Sequence, residues 1–320
     1  MIVVCGEALI DLFVGSAEGA EMPARAVAGG SPFNVAIGLA RLGVDASFLG
    51  GLSRDRFGEL LARSLVREGV DIIFLVRSDR LSTISVVATD DDGQPSYAFH
   101  GEGAADRSLE LTDLPAALPP NVQALIFGSY TMAVEPVGTA LAALAMRECG
   151  RRVISVDPNL RPAVVGDMAR WAVAAERFYR TATIIKASDE DVRAAWGGRM
   201  SVAEAARYWR DCGAQLVVVT EGTKGATAFC ASGAVSVAAH SVAVRDTVGA
   251  GDTFHAALLA QLAKTGRLTL DAIAALELPD LSDLLGYAVT AAAVTVSRTG
   301  ADLPTAADVE ARLAAVDTAT

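Results

Sequence analysis

The chain has few cysteines, histidines and aromatic residues, and too little positive charge to balance its acids. Its 320 residues include four cysteines, three histidines and 6% Phe, Trp and Tyr. Cys5, Cys149, Cys212 and Cys230 lie far apart, with no Cys-x-x-Cys spacing. His100, His240 and His255 are equally scattered. Such spacing excludes a zinc site and points to reduced, mostly buried thiols in a cytoplasmic protein. Lys and Arg number 27 against 38 Asp and Glu, a formal net charge of −11. That balance excludes a nucleic-acid or anionic-membrane surface. An anionic substrate must then be held by local groups, such as backbone N–H, against the field of the whole molecule. No apolar run reaches the length of about 18 residues that a membrane-spanning helix needs. The start, Met1 to Glu7, has no basic stretch and no cleavage site, so no signal peptide is expected. Two nucleotide-binding signatures are missing too. Gly-x-x-x-x-Gly-Lys-[Ser/Thr] does not occur, and no Gly-x-Gly-x-x-Gly follows the first strand-like run.

What is present is apolar residue in quantity, 52% against 20% charged, enough for a sizeable core. Short β-branched runs alternate with longer Ala/Leu/Arg segments. Ile2–Cys5, Leu125–Phe127, Val153–Val156, Ile184–Lys186 and Leu216–Thr220 read as buried strands. Val35–Leu42, Phe57–Glu68, Val137–Glu148, Met168–Arg180 and Val202–Cys212 read as helices, and the tail after Pro304 as one more. The alternation predicts an α/β fold with a mainly parallel sheet covered on both faces. Two stretches break it. Leu12–Ala28 is strand-like, and Leu81–His100 reads as a hairpin about the turn Asp90-Asp91-Asp92-Gly93. They predict a small antiparallel sheet, strands at about 12–28 and 81–100, inserted as a lid in a single domain over 1–320. No linker and no internal repeat is present.

The densest chemical signal is residues 246–259, Asp-Thr-Val-Gly-Ala-Gly-Asp-Thr-Phe-His-Ala-Ala-Leu-Leu. A loop of small residues, Gly249-Ala250-Gly251, runs into an apolar helical segment with Asp252 in its first turn. A helix start carries unpaired N–H groups and partial positive charge, and small residues let an anion reach them. The dipole keeps Asp252 ionised, able to accept a proton. An anion cradle beside a base is what phosphoryl transfer to a hydroxyl requires. A lone Gly-x-Gly-Asp is also compatible with a glycine turn whose Asp only caps the helix.

Four further segments have both a chemical and a bland reading. In Ala28-Gly29-Gly30-Ser31-Pro32-Phe33-Asn34, Ser31 suits an N-cap and Pro32 position N1, and the glycines open the backbone to a ligand. An ordinary loop-to-helix joint has the same residues. Gly6-Glu7-x-x-x-Asp11 puts a carboxylate beyond the first strand, where it can accept from two sugar hydroxyls or merely face solvent. In Asp157-Pro158-Asn159-Leu160-Arg161 the arginine can clamp a phosphate or substrate oxygen, or the string is a surface turn. Thr220-Glu221-Gly222-Thr223-Lys224-Gly225 alone is a hairpin turn.

Residues 246–259 resemble the second signature of the ribokinase-like (PfkB) sugar kinase family, and residues 28–43 resemble its first. Matching motifs follow in family order from Gly6 to Ala301. The resemblance implies a ribokinase-like three-layer α/β sandwich with a β-sheet lid. It implies an ATP-dependent sugar kinase, with Asp252 as base and the backbone of Gly249, Ala250 and Gly251 as the phosphoryl cradle. Asp11, Gly29, Gly30, Asn34, Phe99 and Arg161 would hold the sugar. Lys186, Ser188, Thr220, Gly222, Gly225, Gly249 and Gly251 would hold ATP. Magnesium would accompany ATP. The family's Asn-x-x-Glu element, which helps organise it, reads Ser188-x-x-Asp191 here, with Glu190 as the other candidate acid. Asp246, Val248, Arg298 and Gly300 would contribute to a site for a monovalent cation, K⁺. Glu7 with Asp11, the Asp-x-Asn-x-Arg string, Lys186-x-Ser188 and Tyr97-x-Phe99 with Ala105-Asp106-Arg107 are most like the fructokinase branch, which phosphorylates fructose to fructose 6-phosphate. The 2-keto-3-deoxygluconate kinases, kept open by Arg161 and Arg107, and the ribokinases are the alternatives within the family. Outside enzymes, the alternative is an inactive sugar or nucleotide sensor, against which the intact Asp252 and anion loop speak. The expected partners are the sugar and ATP, with no nucleic acid or membrane, and a homodimer through the lid is the assembly to test.

Overall fold

Strand β1 (Ile2–Cys5) is apolar at every position because both its faces are covered. Ile2 and Val4 join one hydrophobic cluster, Val3 and Cys5 the other. A strand's period of two sends alternate side chains to opposite faces. The other strands, in chain order, are β2 (Leu9–Val14), β3 (Ala24–Gly29), β4 (Ala46–Ser53), β5 (Leu75–Ser78), β6 (Ile84–Thr89), β7 (Pro95–His100), β8 (Ala124–Gly128), β9 (Val153–Asp157), β10 (Ile184–Ser188), β11 (Leu216–Thr220), β12 (Ala226–Cys230) and β13 (Gly233–Val237). The computed structural model describes residues 1–89 and 95–317. Among these, nine strands form the central sheet in the order β13-β12-β11-β10-β9-β8-β1-β4-β5. From β11 to β5 all neighbours are parallel; β12 and β13 are antiparallel additions.

The helices are α1 (Ser31–Arg41), α2 (Arg56–Arg67), α3 (Val137–Glu148), α4 (Pro162–Val165), α5 (Met168–Tyr179), α6 (Asp189–Trp196), α7 (Val202–Asp211), α8 (Ala250–Lys264), α9 (Leu270–Ala274), α10 (Leu278–Val296) and α11 (Ala306–Asp317). Leu39 of α1, Leu61 of α2, Leu258 of α8, Leu285 of α10 and Val309 of α11 fill the core on one face. Leu141 of α3, Phe178 of α5, Val192 of α6 and Trp209 of α7 fill the other. The result is the expected three-layer α/β sandwich, with every predicted strand and helix present. No helix among the described residues is long and apolar enough to cross a membrane.

Strand order reverses at β1, which lies between β8 and β4. Open parallel sheets bind ligands beyond the carboxyl ends of their strands at such a point. Those ends here deliver Glu7 after β1, Thr131 after β8, Asp157 on β9, Ser188 on β10 and Thr220 on β11.

The second sheet, β3-β2-β6-β7, is the predicted lid, with two corrections. It is mixed rather than antiparallel, because β2 and β6 run parallel from Ile10↔Ile84 to Val14↔Ala88. The chain passes through α1, β4, α2 and β5 between them, and so enters the lid twice in the same direction. Only tight hairpins force antiparallel neighbours. The lid also starts at Leu9, which puts Asp11 on a strand instead of in a loop. The turn Asp90–Gly93 lies outside the described residues.

Candidate active site

Helix α8 starts where the sequence places it. Gly249 is its N-cap at φ 79°, left-handed backbone that favours glycine. A side chain there would also press on Ala301, with Cβ 2.8 Å from the Ala301 Cβ. Asp252 is the third residue of the helix. Its Oδ1 accepts from the Ser31 hydroxyl at 2.6 Å and its Oδ2 from Asn34 Nδ2 at 2.8 Å. Ser31 therefore departs from the expected role. The N-cap of α1 is Gly30, at φ 108°, and Ser31 is the first helical residue. Its hydroxyl reaches Asp252, 221 residues along the chain, instead of its own helix.

Burial raises the pKa of Asp252. The hydrogen bonds from Ser31 and Asn34 and the charge of Lys186 oppose that rise, and Asp157 adds to it. Asp11 on β2 is close enough to feel Asp252. Burial raises its pKa, and the Asp252 charge raises it further. Gly29 packs against the Asp11 carboxylate, where any side chain would overlap Oδ2. Asp11, Gly29, Gly30, Asn34 and Asp252 are thus brought together where the lid meets the body.

Behind the loop lies a buried polar chain that sequence reasoning did not assemble. Lys186 Nζ donates to Asp157 Oδ2 at 2.8 Å, and both residues are buried. Nζ also lies against the helix start, 3.2 Å from where a Gly251 Cβ would be. Burial works against the Lys186 charge, but the carboxylates of Asp157, Asp191 and Asp252 together outweigh it, and the pKa lies above the ordinary lysine value. His255, one turn after Asp252, sits 2.7 Å from Ser155 Oγ and 3.8 Å from Asp157 Oδ2. Burial, helped by the Lys186 charge, lowers its pKa to about 3, so the ring is neutral. The spacing puts 252 and 255 on one helix face, and 155, 157 and 186 on adjacent parallel strands, but only the packing of α8 on the sheet brings them together.

On the other side of the helix start is a cavity of about 520 Å³. Thr220, Gly222 and Gly225, from the β11–β12 connection, line it with Ala250 and Gly251. Small apolar residues of α10, Val289 and Ala293 among them, form another wall. The expected nucleotide residues Thr220, Gly222, Gly225 and Gly251 therefore share one cavity, and Lys186 stands at its Gly251 end.

A third group joins lid and body. Asp106 accepts from the Thr83 hydroxyl at 2.5 Å and the Tyr130 hydroxyl at 2.6 Å. Phe99 of β7 meets Tyr130 edge-on at 6.4 Å, and the Arg107 guanidinium covers the same ring at 5.0 Å. Glu7 is buried nearby, its pKa pushed up to about 7 chiefly by burial, with the Asp106 charge adding to it. Thr131 Oγ1 lies 3.1 Å from Glu7 Oε2 and 3.0 Å from the Gly128 carbonyl.

The remaining expected residues fall in two groups. Asp246 Oδ1 accepts from the Val248 N–H at 3.0 Å and Oδ2 from the Gly300 N–H at 2.8 Å, which joins the two loops. The Arg298 side chain pairs with Asp302 and Asp308, and its N–H donates to the Thr295 carbonyl. Ser188 and Asp191 are occupied with each other in a capping box at the start of α6, and Asp191 Oδ1 also accepts from the Leu160 N–H. Glu190 is exposed. Arg161 is exposed at the start of α4, where its guanidinium donates to the Leu160 carbonyl at 3.4 Å. Among the described residues no group of three or more His, Cys, Asp or Glu side chains is placed to hold a metal ion.

Comparison with known proteins gives the same outline. The family model described as pfkB family carbohydrate kinase matches residues 1–308. A fructokinase of Rhizobium leguminosarum bv. trifolii is 40% identical over 278 residues, covering 87% of this chain and 84% of the relative. The solved structure of a Xylella fastidiosa fructokinase with bound ATP superposes with a TM-score of 0.88 at 25% identity, over 99% of this chain and 98% of that one. A double mutant of the Vibrio cholerae O395 fructokinase, solved with fructose, ADP and a potassium ion, gives a TM-score of 0.83 at 28% identity, over 98% and 97% of the two chains.

Proposed function

The chain belongs to the pfkB family of carbohydrate kinases, and from that premise we propose that it transfers the γ-phosphoryl group of ATP to a hydroxyl of fructose, forming fructose 6-phosphate. One observation carries the reading. The start of α8 separates a nucleotide-sized cavity from a carboxylate held by two side-chain donors. A phosphoryl group at that helix start would lie between its donor and its acceptor.

In this reading Asp252 takes the proton of the attacking hydroxyl as its oxygen bonds to phosphorus and the bond to ADP breaks. The backbone N–H groups of Gly249–Asp252 and the Lys186 ammonium face the charge on the transferring group. Asp157 keeps Lys186 charged and aimed. Asp11, Gly29, Gly30 and Asn34 hold the sugar. Phe99 would reach the sugar from lid strand β7, and Arg161 from the start of α4. Magnesium supplies neutralisation of phosphate charge. It would be carried mainly by nucleotide phosphates and water. K⁺ would sit where Asp246 and Val248 meet Arg298 and Gly300, held by backbone groups. The lid segments are insertions into one catalytic domain and exclude water that would compete as acceptor. Unpaired cysteines fit a cytoplasmic setting.

The test is one assay comparing catalytic efficiency on fructose, ribose and 2-keto-3-deoxygluconate, with Mg-ATP, in K⁺ or a large organic cation. Fructose is expected to lead, because a site built from hydroxyl partners rejects ligands that leave them unpaired. K⁺ is expected to raise the rate. A lead for the sugar acid would overturn the fructose reading and make Arg161 its carboxylate clamp. Nucleotide binding without turnover on any acceptor would mark a sensor.

A further inference from the structure

His240 follows β13 and lines the nucleotide-sized cavity beside α10. It is the one titratable side chain among the described residues that line it. Its Nε2 lies 2.9 Å from Thr290 Oγ1. Thr290 is buried in α10, and its hydroxyl donates to the Gly286 carbonyl at 2.8 Å, one turn earlier. A hydroxyl has one proton, and this one is committed. The Thr290 oxygen can then only accept, so the proton between the two residues belongs to His240 Nε2. Burial lowers the pKa of His240, and the Arg312 charge lowers it further, so the ring is neutral at neutral pH. A neutral imidazole protonated on Nε2 has a bare Nδ1. The ring therefore brings an acceptor, and no second donor, to a wall it shares with Ser241, Val242, Val289 and Ala293.

The phosphate end of the cavity is fixed by Gly251 and Lys186, which leaves the His240 and α10 end for the base. Adenine carries an amine donor at its six position, where guanine carries a carbonyl acceptor. We propose that His240 selects adenine over guanine, by accepting a hydrogen bond from the adenine amine at Nδ1 and opposing the guanine carbonyl with a like acceptor. The inference rests on the kinase reading above and assigns the base specificity of its nucleotide site.

Isothermal titration of the full chain with ADP, GDP and purine riboside diphosphate, which lacks the amine, tests it without turnover. The wild type is expected to bind ADP about ten- to a hundredfold more tightly than either analogue, the range for an uncompensated polar group. In His240→Leu, ADP and purine riboside diphosphate should converge because ADP weakens. The ratio of kcat/KM for the matching triphosphates should move with the affinities. Thr290→Val keeps the volume of α10 and removes the hydroxyl that accepts from the ring and donates to the Gly286 carbonyl. It should narrow the same preference, and it serves if the leucine variant does not fold. Equal binding of ADP and the analogue by wild type, or an unchanged preference in either folded variant, would overturn the proposal while leaving the kinase intact. Failure to bind any nucleotide would overturn both.

Discussion

At the scale of single residues, the central one is Asp252, a carboxylate with both oxygens occupied by neutral donors. Ser31 and Asn34 aim it without supplying a counter-charge, and Lys186 is the cation that lowers its pKa. Burial wins, so the group titrates above the ordinary aspartate value of 3.8. A base acts only when ionised. The rate should therefore fall on the acid side, as pH drops through that raised pKa. Asp252→Asn keeps the shape and both neighbours but accepts no proton. Its kcat is expected to drop about 10²–10⁴-fold, with sugar affinity within a few fold and the acid limb gone. Steady-state kinetics across pH measure this. A variant with more than half the wild-type turnover would show that another group is the base.

At the scale of elements, the first turn of α8 matters more than the rest of the helix. It is the one place where nucleotide cavity, base and lysine meet, and its geometry depends on Gly249. Alanine there must adopt φ near 79°, and its Cβ would meet Ala301 at 2.8 Å. A left-handed non-glycine residue costs about 1–2 kcal/mol. For a chain longer than the reference domains that corresponds to a fall in Tm of roughly 2–4 °C. The N–H groups that face the phosphoryl group would also shift, and misplacement of about 1 Å can cost about 10²-fold. Gly249→Ala should thus lose kcat far out of proportion to its loss of stability. Thermal melts beside kinetics check this, and a variant with normal kcat would mean that the cradle does not need this backbone.

At the scale of the molecule, the joint between sheet, lid and third cluster holds a carboxylate that ought to destabilise it. Glu7 titrates at about 7 in the fold against an ordinary 4.5, so the folded state holds the proton more tightly than the unfolded chain. Its stabilising share is complete below about pH 4.5 and is lost as pH rises through about 7. Glu7→Gln stays neutral throughout. The stability of the glutamine variant relative to wild type should improve from about pH 5 to about pH 8, by up to roughly 3 kcal/mol. Denaturant titrations of both proteins at the two pH values give the difference directly. A difference that stays constant with pH would mean that Glu7 is not protonated in the fold.

Much of this was open to reading without coordinates, and the reason is locality. A parallel strand covered on both faces needs a continuous apolar run, so Val153–Val156 and Leu216–Thr220 announce themselves. A helix start that must admit an anion needs small residues and an early carboxylate, so residues 249–252 do too. Long-range pairing is another matter. Nothing in Ser31 says that its hydroxyl turns from its own helix to Asp252, because that contact exists only once α1 and α8 pack together. The parallel β2–β6 pair depends on where the chain travels between them. The Lys186–Asp157, His255–Ser155 and His240–Thr290 contacts were decided only by folding, since each joins partners that the sequence keeps 29 to 100 residues apart.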